Sequence, residues 1–224
     1  MQDGTELYPT YNWGPERLVF LMAGGSGALT EAVEGAEDDG EAGRAAVVQD
    51  AIGPDDVVIG VAASGRTPYT LAIIEQARAA GALTIGVANN PGSALLESAE
   101  HGVLVKTGSE VVGGSTRMKA GTAQKAVLNL LTTAIMIRLG LVYQGRMVAM
   151  RISNAKLLQR GRNMVQDIAG VEADAAERAL AAADNDIRLG VIVALGVPVA
   201  EGKAMLDVHK GNLRRVLQVL ETRD

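Results

Sequence analysis

Four near-continuous apolar runs, 17–23 (RLVFLMA), 56–63 (DVVIGVAA), 82–88 (ALTIGVA) and 102–106 (GVLVK), alternate with segments whose apolar residues recur at helical spacing: 26–34, 41–52, 67–80 and 93–99. Runs without polar alternation suit strands covered on both faces. Their alternation with helices predicts an α/β fold, a doubly wound parallel sheet. Residues 117–139 then read as one long helix, interrupted by Gly121 and closed by Gly140, with Ser115 as the residue expected to cap it. Its apolar girth predicts burial, on the sheet and across a subunit boundary. From about 171 the pattern shortens into helices expected at 172–183, 185–195, 200–207 and 210–221, punctuated at Asp184-Asn185-Asp186 and Gly196-Val197-Pro198, a small C-terminal helical module. The expected division is 1–168 and 169–224.

In such sheets ligands bind beyond the carboxyl ends of the strands. Three loops fall there: Gly24-Gly25-Ser26, Ser64-Gly65-Arg66-Thr67 and Asn89-Asn90-Pro91. The second carries the most chemistry. An apolar strand empties into two hydroxyl residues and a glycine, and Pro68 opens the next helix, whose free N–H groups favour an anion. The spacing fits neither G-x-x-x-x-G-K-[ST] nor a dinucleotide G-x-G-x-x-G, which points away from nucleotides and toward a phosphorylated small molecule. An ordinary strand-to-helix turn capped by Ser64 and Thr67 explains the same residues, and the loop alone does not separate the two readings.

Composition narrows the partners. The 224 residues include 21 Lys and Arg against 26 Asp and Glu, a formal charge of −5. That balance, with dispersed basic residues, predicts no nucleic-acid or membrane partner. The chain has no cysteine and two histidines, His101 and His209, so no metal site is expected. No run is long and apolar enough to cross a bilayer and no secretory pattern opens the chain, so the cytoplasm is the expected location.

Five motifs in register extend this picture: Glu6-Leu7-Tyr8-Pro9-Thr10-Tyr11, Ala23-Gly24-Gly25, Glu34-Gly35-Ala36-Glu37-Asp38-Asp39, Ala63-Ser64-Gly65-Arg66-Thr67-Pro68-Tyr69 and Gly113-Gly114-Ser115-Thr116-Arg117-Met118-Lys119-Ala120-Gly121-Thr122. Together they resemble the N-acetylmuramic acid 6-phosphate etherases of the sugar isomerase (SIS) superfamily. The resemblance implies an SIS-type fold, a homodimer, no cofactor, and cleavage of a lactyl ether to N-acetylglucosamine 6-phosphate and D-lactate in cell-wall sugar recycling. It assigns Glu6 as the acid and Glu37 as the base at C2. It implies substrate binding by Ser64, Gly65, Arg66 and Thr67, and by Ser115, Thr116 and Lys119. Read without it, Glu6 is a solvated side chain near a terminus, and the Glu37-Asp38-Asp39 cluster is a helix-start preference for acids. The family pattern also has a stretch ahead of the position of Met1, with a first strand and a Gly-Thr-Ser-Gly-Arg-like loop, so residues 1–168 are expected to be an incomplete SIS domain. The alternatives are a sugar-phosphate isomerase, which would use the same phosphate loop and release no lactate, and a non-catalytic sugar-phosphate-binding regulator.

Overall fold

Val57–Val61 (β1), Leu83–Ala88 (β2) and His101–Leu104 (β3) form a parallel sheet in the order β1-β2-β3 in the computed structural model, which describes residues 1–222. The register runs Val57↔Leu83 to Val61↔Val87 and Ile85↔His101 to Ala88↔Leu104. Pro68–Ala79 (α4) connects β1 to β2 and Ala94–Ser98 (α5) connects β2 to β3. The chain is therefore α/β with a three-stranded parallel sheet and C-terminal helices.

Gly60, Gly86 and Gly102 share one sheet face across this register. Each lets a helix approach where a side chain could not: a Cβ at Gly60 would sit 2.7 Å from the Ile74 side chain, and one at Gly102 would sit 2.6 Å from the Leu96 carbonyl. Gly40–Gln49 (α3) crosses α4 as closely, with Gly43 against the Tyr69 carbonyl. Two apolar clusters result, one around Val47, Tyr69, Ile73 and Ala77, the other around Ile74, Ala88 and Leu95.

The segment expected as a strand at 17–23 does not join the sheet. Leu21 and Ala23 pack on the α3–α4 cluster, but Val19 and Phe20 are exposed, and no ladder pairs the segment with β1 among the described residues. The apolar run describes side chains with a place to pack, and a strand needs a backbone partner as well. The helix expected over 26–34 is a single 3₁₀ turn, Ser26–Leu29.

Contacts divide the chain into two compact units, 19–129 with the sheet, and 1–18 with 130–224. The second opens with Gln2–Thr5 (α1) and Leu7–Tyr11 (α2). Lys119–Arg138 (α6) runs from the first unit into the second. The burial expected for it is not found within one chain: Ala120 and Met136 are buried, but Leu130 is 71% and Ile137 51% exposed.

The second unit is built from Ala155–Ala169 (α7), Ala173–Ala182 (α8), Ile187–Ala194 (α9), Val199–Val208 (α10) and Leu213–Glu221 (α11) around a core of Val165, Leu180, Ile187, Ile192, Leu213 and Val216. Helix α7 lies outside the elements expected from the pattern, and its mid-helix Gly161 packs against Ile152 and Leu180. Polar caps fix the starts: Asn154 Oδ1 accepts from Leu157 N, Asp186 Oδ1 from Arg188 N, and Asn212 Oδ1 from Arg215 N.

Candidate substrate site

β1 ends at Val61, and the next six residues reverse the chain into α4. Gly65 N donates to Ala62 O, and Arg66 N donates to Ser64 Oγ at 3.2 Å. Gly65 has φ +65°, the left-handed region where glycine alone is unstrained. It is also buried, and a Cβ there would overlap the Ser93 side chain. Thr67 stands at the N-cap position in extended conformation, and its hydroxyl makes no capping bond. Leu71 is the first residue of α4 whose N–H reaches back, to Thr67 O, which leaves the Tyr69 and Thr70 N–H groups at the open end of the helix. Ser64 and Thr67 are half-buried and Arg66 is exposed. The loop thus combines an uncapped helix start, two hydroxyls and a guanidinium, the features an anion uses.

Two neighbours hold the loop in place. Leu95 N donates to Gly65 O, and Asn89 N to Ala63 O, so the ends of β1 and β2 are tied together at the sheet's carboxyl edge. Asn89 also spans to other elements: its Nδ2 donates to Val105 O, and its Oδ1 accepts from Gln124 Nε2 of α6. Ser93 lies beneath the loop, 1% exposed, and its Oγ has no hydrogen-bond partner. Sequence reasoning placed Asn89 in a site loop but passed over Ser93; the Gly92-Ser93 pair ahead of a short helix was its one local signal.

Glu37 sits on the 3₁₀ turn Ala36–Asp38, exposed, with no hydrogen bond or ion pair among the described residues. Asp39 provides the helix cap, accepting from Ala42 N at 2.9 Å. The capping reading of the acidic cluster therefore accounts for Asp39 and leaves Glu37 unused. The turn ends beside the candidate loop, because Gly40 lies against Ala72 and the Pro68 carbonyl at the start of α4. Glu37 and Ser64–Thr67 are thus carried by neighbouring segments of one unit.

Glu6 is placed in the other unit, at the junction of α1 and α2, with its side chain exposed. Its backbone is integrated: its N–H donates to Gln2 O and its carbonyl accepts from Thr10 N. Farther along α2 the chain is fixed by Arg151, which stacks its guanidinium 4.5 Å from the Tyr8 ring and donates its N–H to Pro9 O.

The loop before α6 differs from expectation at its cap. The carboxylate of Glu110, not Ser115, closes the helix start, its Oε2 accepting from Lys119 N at 3.1 Å and its Oε1 from Ala120 N at 2.9 Å. These backbone donors, Ala120 first, hold the Glu110 carboxyl below its ordinary range. Glu110 lies nine positions before Lys119, so no local N-cap pattern marks it. Ser115 is half-buried and Thr116 exposed. Lys119 Nζ donates to Ser109 O at 2.7 Å, which points its ammonium along the loop. Among the described residues no group of His, Asp or Glu side chains is arranged to hold a metal.

Residues 39–134 match the SIS domain, a span that contains β1–β3, the candidate loop and most of α6. The chain is 51% identical over 216 residues to the N-acetylmuramic acid 6-phosphate etherase of Deinococcus radiodurans, covering 96% of this chain and 71% of the relative. It is 50% identical to the etherase of Streptomyces coelicolor and 45% identical to that of Escherichia coli O17:K52:H18, over 96% of this chain and 70% and 72% of those proteins. Identity at this level across nearly the whole described chain, joined to the SIS sheet and its open strand-to-helix loop, places the chain in the N-acetylmuramic acid 6-phosphate etherase family.

Proposed function

We propose that the chain cleaves the D-lactyl ether of N-acetylmuramic acid 6-phosphate, giving N-acetylglucosamine 6-phosphate and D-lactate, in the recycling of cell-wall sugars. The observation that carries the reading is the 51% identity to an etherase over 96% of the chain. The uncapped start of α4, with Ser64 and Thr67, supports it as the seat of the 6-phosphate. Arg66 adds a cation beside it. Ser115, Thr116 and Lys119 are the groups we assign to the sugar.

The chemistry requires two carboxyl groups. In the ring-opened sugar the C2 proton lies next to the C1 aldehyde, which makes it acidic enough for a carboxylate base. Glu37 takes that proton, the C2–C3 double bond forms, and the C3–O bond to lactate breaks. Glu6, as a carboxylic acid, gives its proton to the departing oxygen. It then takes a proton from water, whose oxygen adds at C3, and Glu37 returns its proton to C2. No redox step occurs and no cofactor is needed. Glu37 is suited to the base role by its exposed carboxylate, which is not engaged in capping.

A homodimer is part of the proposal, supported by the exposed Leu130, Ile135, Ile137 and Leu139 on and just beyond α6. A charged sugar phosphate does not cross a bilayer unaided, so the reading places the enzyme in the cytoplasm. No helix among the described residues is long and apolar enough to span a membrane.

The test is D-lactate release from N-acetylmuramic acid 6-phosphate by the purified chain, with Glu6→Gln and Glu37→Gln alongside. Each variant is expected to lose on the order of 10²–10⁴-fold in kcat. Isomerisation of a sugar phosphate without lactate release would favour the isomerase, and substrate binding without turnover the regulator.

A further inference from the structure

A second candidate site lies in the helical unit. A cavity of about 600 Å³ opens between the segment after α2, the end of α6 and the α10–α11 turn. Its cationic lining is Arg17, Arg138, Arg188, Lys210 and Arg215, with His209 beside them, and among the described residues no carboxylate lines it. The chain as a whole carries more acids than bases, 26 against 21, so an acid-free basic cavity departs from its average surface. Its volume is that of a small-molecule site.

The cations differ in what already holds them. Arg188 is engaged, its Nε and Nη2 donating to the two oxygens of Asp186. Arg17 is stacked over Trp13 with its guanidinium carbon 3.6 Å from the ring centre. Stacking fixes the guanidinium plane and leaves its N–H edge free to donate. Arg138, Lys210 and Arg215 have no ion pair with a carboxylate among the described residues.

The backbone beneath them is held in place. A Cβ at Gly140 would overlap the Asn212 side chain, so the end of α6 and the start of α11 pack without a gap. Asn212 caps α11 by accepting from Arg215 N. Lys210 adopts φ +52°, a left-handed conformation unusual for a residue with a side chain, in the turn that delivers it to the cavity rim. Such conformations gather at ligand clamps.

We propose that this cavity binds a diphosphate group, free or as part of a nucleoside diphosphate. Four cations with no carboxylate partner among the described residues match the charge of a diphosphate better than that of one phosphate ester. Guanidinium groups suit its paired oxygens, and Tyr11 and Trp13 in the lining offer apolar surface to an attached body. The cavity lining includes none of Glu6, Glu37, Ser64–Thr67, Ser115, Thr116 and Lys119, so its occupancy is read separately from the etherase reaction.

The experiment is calorimetric titration of the full chain with inorganic pyrophosphate, ADP and inorganic phosphate. Arg138→Ala/Arg215→Ala is tested beside Ser64→Ala/Thr67→Ala. Pyrophosphate is expected to bind once per chain and more tightly than phosphate, with Kd raised about tenfold or more by the first pair and little by the second. Tighter binding of ADP, lost in Trp13→Ala, would identify a nucleoside body, and equal binding would identify the diphosphate alone. Arg138→Gln/Arg215→Gln guards against misfolding, with thermal unfolding confirming each fold. Absence of saturable binding at about 1 mM, or binding lost only with Ser64 and Thr67, overturns the proposal. The readout does not involve lactate release, so its outcome and that of the etherase test are separable.

Discussion

Replacing Gly65 by alanine places a methyl group where the fold has no room for one. Two costs add. The backbone φ of +65° is disfavoured for any residue with a Cβ, by about 1–2 kcal/mol. The new Cβ would overlap the Ser93 side chain and lie 3.0 Å from the Ala88 Cβ, an overpacking cost of about 1–3 kcal/mol. Gly65→Ala is therefore expected to destabilise the protein by about 2–5 kcal/mol. With a urea m-value of about 2 kcal/mol/M, that lowers the unfolding midpoint by about 1–2.5 M, read by far-UV circular dichroism. The steric part is separable, because Ser93→Gly removes the atoms that collide. Ser93 Oγ makes no hydrogen bond, and glycine at an N-cap costs only a few tenths of a kcal/mol, so the single change is nearly silent. The double variant should recover the larger part of that steric cost of about 1–3 kcal/mol, leaving the backbone strain and the Ala88 contact. A wild-type midpoint for Gly65→Ala, or a double variant no more stable than the sum of the singles, would refute the argument.

Two further outcomes follow from the packing and the caps. Ile192→Ala removes three buried carbon atoms from the centre of the helical unit and should lower stability by about 2–5 kcal/mol in the same urea assay. Glu110→Ala uncaps α6 and should lower its thermal midpoint at neutral pH. The Glu110 carboxyl is held below its ordinary range in the folded chain, so its contribution is present above about pH 4.5 and is lost as pH falls through the lowered folded value. The gap between wild type and Glu110→Ala should therefore close on acidification, and a gap that stays constant from about pH 7 to pH 3 would exclude this role.

The three paired strands and nearly all their helices were legible because period and length suffice for elements that bury a face. Residues 17–23 misled because hydropathy reports a place for side chains and is silent about which backbone lies alongside. Helix α7 was hidden by its polar composition and by Gly161, which reads locally as a break and in the fold is the point where Ile152 packs closest. The candidate loop was visible as a strand emptying into Ser64-Gly65-Arg66-Thr67. What braces it was not, since Ser93 under Gly65 and Gln124 on Asn89 are separated from their partners by 28 and 35 positions. Glu110 shows the same limit: a cap nine positions from the helix it closes leaves no local signature.

That distant cap bears on how the family can diversify. Residues 111–118 leave Glu110 and return to the same carboxylate at Lys119 and Ala120, so they hang from the scaffold as a closed loop with its neck already tied. Changing the loop's sequence leaves the neck bonds intact, and lengthening it by a few residues costs little closure entropy. Under the proposed assignment of Ser115 and Thr116 to the sugar, changes in sugar preference can therefore accumulate in this span while α6 and the carboxyl edge of the sheet are inherited unchanged.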